Sequence, residues 1–411
     1  VLIVVENLPV PFDRRVWLEA TTLTQAGARV SVICPKGKGF TRSREVIEDI
    51  AIFRYAVPFD ASGALGFVAE FSWCFVMTAG FSLWVALFGR GFDVLHACNP
   101  PDSFWLLGRF WQVWGRRFIF DHHDLAPEMF AAKFGRDTGL LYRGLLWLER
   151  HSLRTADAVI ATNDSHRRVA MERGGCGPGD VFVVRSGPDL QRFRAYPPDP
   201  AFRGGKRHLL VYLGEICAQD GVDGMVRMVA LLAVRRQDFY VLFVGGGPHQ
   251  PAIKAYAAER GIMGYAAFTG RVSDDALCRI LSSATLGIDP DPKTPWSDQS
   301  TMNKVVEYMY FGLPVVAFDL HETRVSAGGA GVYAAGNSEQ AMADAVDALL
   351  DDPARRGEMG QTGQRRVRDE LAWAYSVPPL LAAYARAMAP RQVVAAVATS
   401  SREKSHGGLR Q

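Results

Sequence analysis

Cysteine is sparse in this chain of 411 residues: six, at 34, 74, 98, 176, 217 and 278, with no C-x-x-C spacing among them. That scatter argues against a disulfide framework or a cysteine-built zinc site and favours a reducing compartment, so a cytoplasmic location is expected. Net charge is nearly missing as well. The 46 Lys and Arg against 43 Asp and Glu leave +3, too little for the footprint of a nucleic-acid binder. No internal repeat of solenoid length is visible. The first βα turn lacks a glycine-rich loop: Val1 to Val5 runs through Glu6 and Asn7 into PVPFDRR. Backbone cradling of a phosphate is therefore not expected there, and Arg14 and Arg15 are left either to contribute charge or to sit on a solvated helix face. Charge is also absent from residues 71–88, FSWCFVMTAGFSLWVALF, nearly enough to span a bilayer. Glu70 and Arg90 close this run, and it lies inside an alternating strand and helix pattern that a spanning helix would divide. A buried or membrane-surface helix is expected instead.

With 48% hydrophobic and 22% charged residues, the chain can bury two ordinary cores. Apolar runs alternate with helical patterns, which predicts α/β architecture with parallel sheets. The first unit takes in residues 1–190 and a proline-rich, charged linker spans 191–207. A second unit covers 208–372, a last helix runs from Trp373 to Met388, and the tail 390–411 lacks an apolar period and reads as disordered. Polar residues stop the chain repeatedly at strand ends, where open α/β sheets bind ligands. Asn99 and Asp102 follow one such strand; Asp121, His122, His123 and Asp124 follow the next, with Glu128 just beyond. Two adjacent histidines between carboxylates admit a metal reading, but neighbours on a short loop cannot all point inward and no distant cluster completes a site. Asn163 to Ser165 forms a glycosylation sequon, discounted because nothing else indicates secretion.

The most informative stretch is Trp296 to Phe318, WSDQSTMNKVVEYMYFGLPVVAF. Met302, Val305, Val306 and Met309 make an apolar helical stripe, while Ser300, Asn303, Lys304 and Glu307 occupy the opposite face. Ser300 or Thr301 is expected to cap the helix, Gly312 to end it and Pro314 to stop continuation before a buried strand. A helix N-terminus with a hydroxyl and a lysine suits a phosphate, and a carboxylate further along suits a pair of sugar hydroxyls. The bland alternative is a surface helix with a weak Lys304–Glu307 pair.

This segment resembles the nucleotide-sugar motif of retaining glycosyltransferases of family 4, which have the GT-B fold of two Rossmann-like domains around a cleft. The family's two glutamates are separated by seven intervening residues; Glu307 matches the second, which touches the ribose, and Gln299, with Asp298 beside it, stands in place of the first. FDHHDLAPE resembles the loop whose histidine faces the donor sugar, making His123, followed by Asp124, the candidate. Gly214, Glu215, Gln219 and Gly221 fall in the loop that usually carries a basic diphosphate clamp, here with Glu215 and Asp220 at the basic positions. Lys304 is the expected replacement. Gly245 and Gly246 end another strand, and Gly270-Arg271-Val272 resembles the segment that packs on the base, though a core-edge turn is an equal reading. On the acceptor side the resemblance suggests Asn7, Arg14, Asn99, Asp102 and Glu128. It implies retaining transfer from a UDP- or GDP-linked sugar to a glycan or lipid-linked acceptor, with no cofactor and no essential metal. Cell-surface polysaccharide assembly and peripheral membrane contact fit that implication, the aromatics in Phe67 to Phe88 and Phe104 to Trp114 being either core or membrane-facing. Two alternatives stay open: a sugar-nucleotide epimerase of the same fold, and a non-catalytic nucleotide or glycan binder.

Overall fold

The structure is a computed structural model that describes residues 1–58, 63–190 and 192–390. The tail expected to be disordered, beyond Pro390, and the expected linker start at Gln191 lie outside the described residues.

Short runs of β-branched and aliphatic residues build two sheets. The first contains β1 (Leu2–Val4), β2 (Ser31–Pro35), β3 (Arg44–Ile47), β4 (Ile50–Tyr55), β5 (Val94–Cys98), β6 (Arg117–His122), β7 (Ala158–Ala161) and β8 (Val181–Val183). Their order is β3-β4-β2-β1-β5-β6-β7-β8, parallel except for the β3–β4 hairpin at one edge. The second sheet contains β9 (His208–Leu213), β10 (Phe239–Val244), β11 (Ala266–Gly270), β12 (Leu286–Asp289), β13 (Val315–Phe318) and β14 (Gly331–Ala334). It is parallel throughout, in the order β11-β10-β9-β12-β13-β14. Both sheets reverse their winding beside the first strand, between β1 and β5 and between β9 and β12. Crevices at the carboxyl ends of strands open at such points, here just beyond Cys98 at the end of β5 and Asp289 at the end of β12.

Helices cover both faces of each sheet. In the first unit these are α1 (Arg14–Gln25), α2 (Gly63–Phe88), α3 (Trp105–Val113), α4 (Ala126–Phe134), α5 (Leu140–Thr155) and α6 (Asp164–Gly174). The second has α7 (Val222–Ala233), α8 (Gln250–Glu259), α9 (Asp274–Ser283), α10 (Asn303–Tyr310), α11 (His321–Ala327), α12 (Glu339–Asp351) and α13 (Pro353–Arg366). The final helix, α14 (Val377–Met388), returns to the first sheet. Leu380, Ala383, Tyr384 and Ala387 join the core formed by Ile3, Val32, Ile119 and Ile160, opposite the face that α2 and α3 cover. Its Tyr384 hydroxyl meets His96 Nδ1 at 2.7 Å under the β1–β5 junction.

Burial on both faces explains why the strands read as continuous apolar runs. In the second unit the stripe Val305, Val306 and Met309 packs into one core while Met225, Val229, Val346 and Leu349 pack into the other. Tyr308 lies across β12, where Gly287 leaves no room for a Cβ, and its hydroxyl donates to Ile288 O at 3.1 Å.

Candidate active site

Two adjoining cavities lie between the units. The larger, about 460 Å³, is lined from the first unit and linker by Phe12, Arg14, Arg15 and Arg192, and from the second by Arg271, Asp274, Asn303 and Glu307. The smaller, about 240 Å³, is lined by Asp13, His123, Asp124, Thr162 and His166 facing Trp296, Ser300, Thr301 and Asn303. Arg15, Ser186 and Asn303 line both, so the two cavities adjoin at the start of α10.

The first unit's wall begins at α1. Asp13 caps that helix by accepting from Val16 N at 3.1 Å, which fixes Arg14 and Arg15 in the first turn. Arg15 is no solvated helix-face residue: its side chain is only 9% exposed and donates bidentately to Asp121, Nε at 2.9 Å and Nη2 at 2.8 Å, with Nη1 on Val184 O and Ser186 Oγ. Asp121 also accepts from His123 Nδ1 at 3.1 Å. Burial opposes a charge on His123, but Asp121 outweighs it and pushes the imidazole pKa up to about 9. Burial likewise opposes the Asp121 charge, yet Arg15 and His123 hold its pKa well below the usual carboxylate range. The smaller cavity therefore presents a protonated imidazole at neutral pH.

Asn99 and Asp102 do not face the cleft as acceptor residues. Asn99 is fully buried, and its Oδ1 accepts from the backbone N–H of His123 (2.9 Å) and Asp124 (3.0 Å) while Nδ2 donates to Asp102 Oδ1 (3.0 Å) and Asp124 O (2.6 Å). Together they shape the loop that aims His123. Burial pushes the Asp102 carboxyl up to about 7. Glu128, also expected on the acceptor side, pairs with Arg173 at 3.0 Å, and Asn7 is exposed on the loop after β1; neither lines the two cavities.

Across the cleft, α10 starts later than the sequence suggests. Met302 is its N-cap residue and no side chain caps it. The expected caps are engaged elsewhere: Ser300 Oγ donates to Trp296 O at 2.8 Å, and Thr301 Oγ1 accepts from Asn163 Nδ2, on the other unit, at 3.0 Å. Lys304 also departs from expectation. Its ammonium is buried against Asp289 (3.2 Å) and Asp291, which outweigh burial and raise its pKa well above the ordinary lysine value. Its charge is balanced within the β12 end. Asp298 accepts from His321 N at 2.8 Å, and the Gln299 amide donates to Pro295 O at 2.8 Å; neither lines the cavities.

Positive charge reaches the cleft from other residues. Arg14 spans the units, donating to Glu307 Oε1 at 3.1 Å and Asp274 Oδ1 at 3.2 Å, and Arg192 Nε reaches Asp274 Oδ2 at 2.6 Å. The Arg271 guanidinium stacks over the Phe12 ring, 3.7 Å from its centre. Burial raises the Glu307 pKa although Arg14 opposes the shift.

The glycine loops have a packing explanation. A Cβ on Gly245, at φ +133°, would overlap Gly214 O, and one on Gly221, at φ +66°, would overlap Pro290 O. Glu215 O accepts from the Tyr212 hydroxyl, Asp220 Oδ2 accepts from Cys217 N at 2.9 Å, and Gln219 sits in the intervening turn. Gly246 lies beside the Arg271 backbone, and Val272 packs into the second unit's core.

One group of potential metal ligands lies behind the cleft: Glu19, His96, Cys98 and Asp121, all buried. Arg15 pairs with both carboxylates, with Glu19 at 3.2 Å, so the compensating positive charge there is its guanidinium. Burial, reinforced by Asp121, holds the Cys98 thiol protonated. These residues fit a charge-balanced core better than a cation site.

Sequence reasoning passed over Phe12, Arg192, Asp274, Asn163 and Ser186. Arg192 was concealed inside a stretch read as linker, and Asn163 inside a sequon. Asn163 is in fact buried: it caps α6 through His166 N at 2.8 Å and donates across the cleft to Gln299 O at 2.8 Å.

Comparison with known proteins bears on the fold and the family. A family model described as Glycosyltransferase Family 4 matches residues 13–192, and one described as Glycosyl transferases group 1 matches 207–352. Neither model alone spans half of the chain; the two together, with the fold, make it a family 4-like glycosyltransferase of GT-B type. It is 27% identical over 224 residues to the alpha-D-kanosaminyltransferase of Streptomyces kanamyceticus, a match covering 52% of this chain and 56% of that enzyme, so it spans just over half the relative's length. Among solved structures, sucrose-phosphate synthase from Thermosynechococcus elongatus superposes with a TM-score of 0.75 at 18% identity, covering 94% of this chain and 98% of that one. Anabaena Alr3699/HepE, solved in complex with UDP-glucose, gives a TM-score of 0.70 at 13% identity, covering 93% and 98%. At these identities the superpositions speak for the fold. The family 4 transferase thus carries its two units around the cleft just described.

Proposed function

We propose that this glycosyltransferase moves a sugar from a UDP- or GDP-linked donor to a hydroxyl of a glycan or lipid-linked acceptor, retaining the anomeric configuration. The observation that carries the reading is the pair of adjoining cavities, one reaching Glu307 and the other His123, that share Asn303. A nucleoside fits the larger cavity, its base near Arg271 and Phe12 and its ribose hydroxyls on Glu307 in exchange for Arg14. The sugar then lies in the smaller cavity against His123 and Asp124. The diphosphate crosses the start of α10, whose backbone N–H groups carry partial positive charge. Arg14, Arg192 and Arg271, rather than Lys304, supply the remaining positive charge for the leaving group, so no essential metal is required. Retention follows from attack on the face the diphosphate leaves, and no nucleophile is assigned. A place in cell-surface polysaccharide assembly at the cytoplasmic face of the membrane suits such a donor and acceptor. A UDP-glucose complex of a protein with the same fold supports the donor class.

The test is a thermal-shift screen with UDP, GDP, ADP and their sugars, followed by turnover with candidate acceptors. One nucleotide at 100 times its Kd adds about 2.7 kcal/mol of stability. Glu307→Ala is expected to lose that shift, and NMR of the product to show the donor's anomeric configuration. A new sugar nucleotide formed without acceptor supports an epimerase, and binding without turnover a non-catalytic binder. If no nucleotide shifts the wild type, the proposal fails.

A further inference from the structure

The long apolar helix α2 is built inside out. The residues it turns to the sheet are Cys74, Thr78, Ser82 and Val85, all buried, and Ser82 Oγ accepts the Trp111 indole N–H at 3.2 Å. The residues it turns to water are larger and more apolar: Val76 is 62% exposed, Leu87 71% and Phe88 74%, with Val68, Trp73 and Leu83 also exposed. A soluble helix places its polar stripe outward; this one does the reverse.

The face continues over two neighbouring helices. Phe75 of α2 stacks on Phe104 at the start of α3, and Trp105 of α3 meets Trp147 of α5 edge to face. On α3 and just after it, Leu106 and Phe110 are exposed, Val113 is 85% exposed and Trp114 68%. On α5, Leu140, Leu141 and Trp147 are exposed. Exposed apolar side chains gathered on three helices that touch one another mark a docking site.

Charge identifies the occupant. On α3 and α5 the exposed charged groups are Arg109, Arg143, Arg150 and Arg154, whereas the acid of these two helices, Glu149, is buried against His122 and Arg173; α2 adds the half-buried Glu70. Apolar side chains interspersed with arginine suit acyl chains beneath anionic phosphates. Two copies of the same face would instead bring like charges together. α2 does not cross the bilayer in this arrangement: its ends lead from β4 and into β5, strands of one sheet on which it lies.

We infer that the outer face of α2, α3 and α5 seats the protein on an anionic bilayer surface. The apolar, arginine-bearing surface belongs to these helices alone. Its consequence, that the acceptor is carried on a lipid, rests on the transferase reading.

The experiment is flotation of the full chain with phosphatidylcholine vesicles, with and without 30 mol% phosphatidylglycerol, at low and high salt. Recovery in the floating fraction is expected with anionic vesicles, with about tenfold less from Leu87→Glu/Phe88→Glu or Val113→Glu/Trp114→Glu. These positions are solvent-facing, and an unchanged melting temperature confirms that the variants fold. Arg109→Glu is expected to weaken binding and flatten its salt dependence. No flotation of wild type, or equal flotation of the folded variants, overturns the inference. So does a wild-type dimer that these variants dissolve without vesicle binding. Flotation without any nucleotide-induced shift leaves the surface reading standing while the transferase reading fails.

Discussion

The proton on His123 is held by Asp121, and its effect on stability has a definite sign and window. An unfolded histidine titrates near about 6.5, whereas in the fold the imidazole pKa is pushed up to about 9. The folded state therefore binds the proton more tightly. The associated stabilisation is fully present below the unfolded value and is lost as pH rises through the folded one. A difference of about 2.5 units corresponds to about 3 kcal/mol. Other buried acids titrate nearby, among them Glu6, which burial pushes up to about 8, so wild type alone would mix several contributions. Comparison with His123→Gln removes most of the mixing. Urea unfolding of both proteins at pH 6.0 and pH 10 is expected to show the wild-type advantage shrinking by about 3 kcal/mol between the two. An advantage that changes by less than about 1 kcal/mol would refute the argument, because the Asp121–His123 contact would then not hold the proton.

Arg15→Met is expected to destabilise the fold by about 3–5 kcal/mol near neutral pH, since it leaves Asp121 and Glu19 buried without their guanidinium; chemical denaturation checks it, and a loss below 1 kcal/mol would mean the pair contributes little. Its loss should diminish at acid pH, where both carboxyls take up protons. Gly245→Ala is expected to cost about 2 kcal/mol or more, because its Cβ would overlap Gly214 O at a φ that L-residues rarely adopt. Gly264→Ala, where a Cβ meets open space, is the control and should leave the melting temperature nearly unchanged.

Much of the fold was legible because its signals are local. The buried runs that became β1, β9 and β13 are continuous apolar segments, and the α10 stripe of Val305, Val306 and Met309 has a period that no distant residue alters. The capping expectation failed for one local and one distant reason: Ser300 turns back to Trp296 O, and the competitor for Thr301 is distant in sequence. Asn163 takes the Thr301 hydroxyl across the cleft, and a local propensity cannot register that partner. Asn99 and Asp102 show a second limit. A polar residue at a strand end reads the same whether it meets a ligand or ties down the next loop, and here it ties down the loop bearing His123.

The same limit explains the displaced cation. Lys304 sits where a phosphate-binding lysine would be sought, but the DPDP run that ends β12 supplies Asp289 and Asp291 to neutralise it. Glu215 and Asp220 remove the usual basic residues from the facing loop, so the second unit alone offers a diphosphate little uncompensated charge beyond Arg271. The compensation comes from outside that unit: Arg14 at the start of α1 and Arg192 in the linker enter the cleft only when the two halves meet. If donor binding depends on those arginines, it depends on closure. Arg14→Ala and Arg192→Ala should then weaken nucleotide binding though neither residue belongs to the nucleotide-binding unit. A second unit that bound nucleotide as well without them would show that α10 suffices.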